Sequence, residues 1–253
     1  MSPLIIVLLC LTMVATSFLS GIFGMAGGMI LIGVLLALLP LPAAMVLHAV
    51  TQMASNGWRA LLWWRYIRWR PAAAYVGGCV VVLSLWSFMR FAPDKPVALL
   101  LLGVTPFLAR MSPESFQPDP ESKLQCAAYG VICQTLLLMT GVSGPLLDTF
   151  FLGGGRMDRR EIVATKALCQ VFGHAAKLLY FGGIVEQAGT LDPVVAGLAI
   201  LASAIGTTLS TRVLGAMSDG QYRLWANRIV TTIALYYVGY GSFLLIAPRF
   251  FTA

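Results

Sequence analysis

The chain has 253 residues, 58% of them hydrophobic and 11% charged, with 17 Lys and Arg against 10 Asp and Glu for a net charge of +7. A mean hydropathy of +0.84 with so few charges argues against a soluble domain and indicates a polytopic, all-α integral membrane protein. No basic run is long enough for a nucleic-acid surface. Cys10, Cys79, Cys126, Cys133 and Cys169 lie in apolar runs without a C-x-x-C pair, which argues against a disulfide framework or a zinc site.

In chain order, residues 4–22 form an apolar helix without a basic leader, so it reads as a retained helix and not a signal peptide. It runs into GIFGMAGG at 21–28, where four glycines interrupt the helix at membrane depth. A short apolar piece spans 29–39, LPLP closes the unit at 39–42, and a long helix is expected from Ala43 to Arg65. After the basic, aromatic YIRWR, spans are expected at 71–90 and 96–109, separated by FAPDKP. ARMSPESFQPDPESK, 109–123, carries three prolines and reads as a linker. The second half repeats the plan. A helix from Leu124 reaches TGVSGP at 140–145, LLDTFFL follows, and a long helix is expected at 160–183. Spans at 191–213 and 224–247 finish the chain, with EQAGTLD and LGAMSDGQYR as loops. The division is a first membrane repeat at 1–109, a linker at 110–123 and a second repeat at 124–253.

The two long helices carry the most informative pattern. Lys166, Gln170, His174 and Lys177 fall within an arc of roughly 80° at about 100° per residue. His48, Gln52, Asn56 and Arg59 occupy the same four positions 118 residues earlier. GMAGG and GVSGP align at an offset of 117. Taken singly, an intramembrane His or Gln is more often an interhelical hydrogen bond than a ligand contact, and Arg59 or Lys177 can snorkel to the interface. Matched in two copies, the eight residues point to function.

Charge selects the topology. If each broken segment is a hairpin followed by three crossings, the two repeats are inverted and about eight hydrophobic segments result. Arg65, Arg68, Arg70, Arg110, Lys123, Arg156, Arg159, Arg160, Arg212, Arg223 and Arg228 then share one side, with Arg90, Lys95 and Arg249 opposite. That distribution places both termini outside and the linker in the cytoplasm by the positive-inside rule. Inverted repeats with broken helices are the plan of secondary transporters, whose site lies at the midplane. Gln52 and Gln170 are each about ten residues into their helices, roughly half of a 30 Å core at about 1.5 Å per residue.

The expected site is a donor-rich pocket for a small anion. Gln52, Asn56, Arg59, Gln170, His174 and Lys177 come from the two polar faces, Ser143 and Gly144 from the second break. Gly27, Gly28, His48, Thr51 and Lys166 stand around them. His174 and Asp148 are the candidates for proton coupling, and Asp148 can equally pair with a nearby Lys or Arg. Asp158 and Glu161 read as first-turn acids of the helix they open, and Trp58, Trp63, Trp64, Tyr66 and Trp69 as an aromatic belt. No cofactor or metal is expected. An anion channel would use the same basic lining; an intramembrane enzyme is disfavoured because neither H-E-x-x-H nor G-x-S-x-G occurs.

FGMAGGMILIGVLL with its following LP at 23–42, QMASNGWR, GVSGPLLDTFFLGGG and ATKALCQVFGHAAKLLYFGGI together resemble the TauE/SafE sulfite exporter family, across both halves. The resemblance implies a secondary transporter in a bacterial cytoplasmic membrane that moves sulfite, sulfonates or similar oxyanions, coupled to protons. The glycine content of the first break, GVSGP at the second, and the added charge of Lys166 and His174 depart from the family's usual pattern.

Overall fold

The computed structural model describes residues 3–24, 26–111, 118–153, 157–184 and 192–251. Ten α-helices make up the described part: α1 Pro3–Phe23, α2 Ala26–Leu38, α3 Leu41–Leu62, α4 Trp69–Met89, α5 Lys95–Arg110, α6 Lys123–Thr140, α7 Gly144–Gly153, α8 Arg159–Leu179, α9 Pro193–Ala216 and α10 Asp219–Phe251. A short 3₁₀ turn, Trp64–Tyr66, follows α3, and a π turn, Tyr180–Ile184, extends α8.

Length and apolar content make four helices long enough to cross a membrane, at Leu4–Phe23, Trp69–Met89, Pro193–Val213 and Leu224–Ile246. Their outward faces are greasy. Leu4, Leu8 and Leu11 of α1, Leu85 and Phe88 of α4, and Leu201, Ile205 and Leu209 of α9 are exposed at helical spacing, the arrangement that lipid selects and water does not. The chain is a multi-pass membrane protein. α1 alone has the length of a crossing, whereas the 13 residues of α2 reach about 20 Å at 1.5 Å per residue.

Helices of the two halves interlock. α1 lies along α9 and α4 along α6, while α3 packs on α8 and α5 on α10. α3 also meets α9, α8 meets α4, α2 touches α10 and α7 touches α5. Small residues permit the closest of these crossings. A Cβ on Gly78 of α4 would lie 2.1 Å from the Ala127 carbonyl of α6, and one on Gly130 the same distance from that of Tyr75, so backbone meets backbone as in small-residue membrane interfaces.

Each break is narrower than its glycine content suggests. α1 stops at Phe23 and Gly24 takes a left-handed φ of 73°; α6 stops at Thr140 and Gly141 takes a φ of 84°. Only these two need the freedom of glycine. Gly21, Gly27 and Gly28 are helical, and Gly27 is instead a close-approach residue whose Cβ would fall 1.8 Å from the Thr16 carbonyl. Thr140 secures the second break by accepting from Val142 N at 3.2 Å and donating to its carbonyl at 2.7 Å.

Other boundaries shift modestly. α3 ends at Leu62, short of Arg65, and the loop expected over 214–223 shrinks to two residues between α9 and α10. Asp158 caps α8 in a reciprocal box with Glu161, which gives both acids the local role expected of them. Residues 112–117 of the linker and most of EQAGTLD lie outside the described residues.

Candidate functional site

α3 and α8 bring the two polar faces together. His48, Gln52 and Lys177 are at most 4% exposed, as is His174, and Asn56 and Arg59 are also buried. The His48 and His174 rings lie 5.5 Å apart between centroids. His48 Nε2 is 2.9 Å from the Gly28 carbonyl, which can only accept, so that nitrogen carries the proton and donates. His48 Nδ1 is left as an acceptor, and Lys177 Nζ lies 2.7 Å from it. Lys177 also donates to the Gly141 carbonyl at 3.1 Å. One lysine thus ties the second break to α3, and through His48 to the start of α2. Its two hydrogen-bond partners are neutral, and no acid pairs with it among the described residues.

Two polar atoms beside this group are unspent. Gln52 Nε2 and His174 Nδ1 are buried without a hydrogen-bond partner. The Gln52 amide lies over Gly28, about 3.4 Å from where a Cβ would stand. A buried polar atom without a partner is costly in an apolar interior unless a ligand or water meets it. Ser143 is buried at the second break, and its carbonyl accepts from Leu147 N at 3.1 Å.

The other end of the α8 face is built differently. Lys166 forms an ion pair with Asp148 of α7, with each side chain 11% exposed. A Cβ on Gly24 would lie 3.1 Å from Lys166 Nζ and 3.6 Å from Asp148 Oδ2, so this pair abuts the first break. Arg59 donates to the Ser20 carbonyl at 2.9 Å and to Asn56 Oδ1 at 3.4 Å, and Asn56 donates back to the Gln52 carbonyl at 2.9 Å. Thr51 hydrogen-bonds within α3, to the Leu47 carbonyl at 2.8 Å. Gln170 is half-buried one turn before His174, and Gly144 begins α7.

The structure therefore groups His48, Gln52, His174 and Lys177 around Gly28 and Gly141, and separately joins Lys166 to Asp148. The sequence reading expected almost nothing but donors. In fact the carbonyls of Ser20, Gly28 and Gly141 face the cations and the imidazole, and that of Gly141 lies just past the end of α6. Gln134 of α6 was not anticipated. It is fully buried, and its Nε2 lies 3.4 Å from the Gly173 carbonyl, beside the same face; a polar residue inside an apolar helix was the available signal.

Outside the apolar region, Arg68 joins three segments. Its backbone N–H donates to Thr165 Oγ1 at 2.9 Å, and its guanidinium reaches Glu161 at 3.0 Å and Glu121 at 2.5 Å. The hydrogen bond to Glu121, then the charge of Glu161, favour its protonated form further, so Arg68 is cationic at every working pH. Arg160 donates to the Tyr66 hydroxyl at 2.9 Å and stacks over Trp63 and Tyr66.

An all-helical chain with lipid-facing spans, two broken helices and a buried polar centre defines a multi-pass membrane protein of transporter type. The chain belongs to the sulfite exporter TauE/SafE family of membrane transporters, whose model matches residues 9–237. Neither a curated protein nor a solved structure matches the chain.

Proposed function

We propose that the protein is a secondary transporter that carries sulfite, a sulfonate or a similar small sulfur oxyanion across the bacterial cytoplasmic membrane by alternating access. The observation that carries this reading is Lys177, a lysine with no exposed surface, held by one imidazole and one carbonyl. An isolated charge is expensive in an apolar interior, and a bound anion supplies the missing counter-charge. Gln52 Nε2 and His174 provide the next donors, with Ser143 at the second break and Asn56, Arg59 and Gln170 completing the polar faces.

The helix packing supports a repeat of two equivalent halves. Exchanging α1–α5 for α6–α10 turns α1 with α9 into α6 with α4, and α3 with α9 into α8 with α4, and leaves α3 with α8 and α5 with α10 unchanged. In this reading the broken segments are hairpins, both termini are periplasmic, the linker is cytoplasmic, and rocking of one repeat against the other exposes the site alternately. His174 is the group for proton coupling, since its Nδ1 has no protein partner.

The test is sulfite flux into proteoliposomes with internal pH recorded. The reading predicts saturable sulfite uptake accompanied by protons, abolished by Lys177→Met and stripped of its pH dependence by His174→Ala. Flux that neither saturates nor moves protons would identify a passive anion channel, and no flux of any oxyanion would sink the proposal.

A further inference from the structure

One helix face carries two lysines, and each meets the left-handed glycine of one break. Lys166 Nζ abuts Gly24, and Lys177 Nζ donates to Gly141. The surroundings differ in charge. At Lys166 a carboxylate is supplied by the protein, from Asp148 on the helix that follows the second break; at Lys177 both partners are neutral. The register that aligns Gly24 with Gly141 aligns Asp148 with Leu31, an apolar residue with no exposed surface, so the carboxylate is an addition to one half only.

From this contrast we infer that Asp148 is a tethered anion: its carboxylate holds, beside Lys166 and Gly24, the place that the transported oxyanion takes beside Lys177 and Gly141. Removing it opens a second anion site. The inference rests on the proposed binding of an oxyanion at Lys177. The chemistry at both places is the same, an ammonium next to a left-handed glycine in an apolar setting, and it selects any small anion with a free oxygen. A carboxylate covalently fixed one helix away meets the ammonium without the entropy loss of a free ligand. The wild-type chain accordingly binds one anion, although the lysine-and-glycine pattern is present twice.

The test counts sulfite bound per chain in detergent, by equilibrium dialysis, on wild type, Asp148→Asn and Asp148→Asn/Lys166→Met. The inference predicts one, two and one. One sulfite on a folded Asp148→Asn chain would overturn it while leaving the site at Lys177 intact. No sulfite on wild type, with none on Lys177→Met, would overturn the transport reading as well. Should Asp148→Asn fail to fold, Asp148→Ala is prepared with formate throughout, since a free carboxylate then occupies the vacated place. The prediction is a melting temperature that climbs with formate more steeply than that of wild type. A flat response, or a chain that does not fold even with formate, would overturn the inference.

Discussion

The two ends of the α8 polar face solve the same problem in opposite ways. At Gly24 the charge of Lys166 is answered within the fold by Asp148; at Gly141 the charge of Lys177 is met by His48 and a carbonyl. A closed ion pair belongs to the folded state whatever is in solution, whereas an ammonium without a counter-charge makes stability depend on a ligand. The difference separates a structural cation from a binding one, although the two lysines look alike in the sequence.

Lys166→Met is the substitution that strains the comparison most. It leaves Asp148 buried without its partner and is expected to lower stability by about 3–5 kcal/mol, read as a large fall in melting temperature. Lys166→Met/Asp148→Leu, which gives the second half the apolar residue of the first, should recover most of that loss. Lys177→Met removes no charged partner, so its anion-free melting temperature should fall far less; a drop as large as that of Lys166→Met would erase the distinction.

The glycines sharpen it at intermediate size. Gly24→Ala and Gly141→Ala both impose a left-handed conformation on an L-residue, at about 1–2 kcal/mol. Gly141→Ala also presses on Ile32 Cγ1 at 2.9 Å, while the new methyl at Gly24 meets the movable end of Lys166 at 3.1 Å. Gly141→Ala should therefore give the lower melting temperature and, by displacing the Lys177 acceptor, the weaker sulfite binding. Equal effects in both assays would contradict the geometry.

At the membrane surface the effect should be smallest. Arg68 is 41% exposed and its partner Glu121 is equally exposed, so Arg68→Gln is expected to cost about 0–1 kcal/mol in denaturation, with less effect as salt is added. A larger loss would mean that the bond from Arg68 to the start of α8 holds the halves together.

Much of this arrangement was legible in the sequence. The helix period predicted the polar faces of α3 and α8, and matching glycines located both breaks. The partners were harder to foresee. Four glycines in eight residues could not show that only Gly24 adopts a left-handed φ while Gly27 packs against the Thr16 carbonyl, because turn and close contact select the same residue type. Asp148 could be named as an ionisable acid, but its choice of Lys166 depends on how α7 lies against α8 and Gly24. Nor could His48 be ranked above its neighbours. Its role comes from Gly28 and Lys177, which are 20 and 129 residues away along the chain.

The most direct measurement is sulfite-dependent thermal stabilisation of purified wild type beside Lys177→Met and Lys166→Met/Asp148→Leu. If the anion completes Lys177, sulfite raises the melting temperature of wild type and of the double variant alike, in step with occupancy, and leaves Lys177→Met unmoved. A shift that survives in Lys177→Met, or vanishes in the double variant, would contradict the account and place the anion elsewhere.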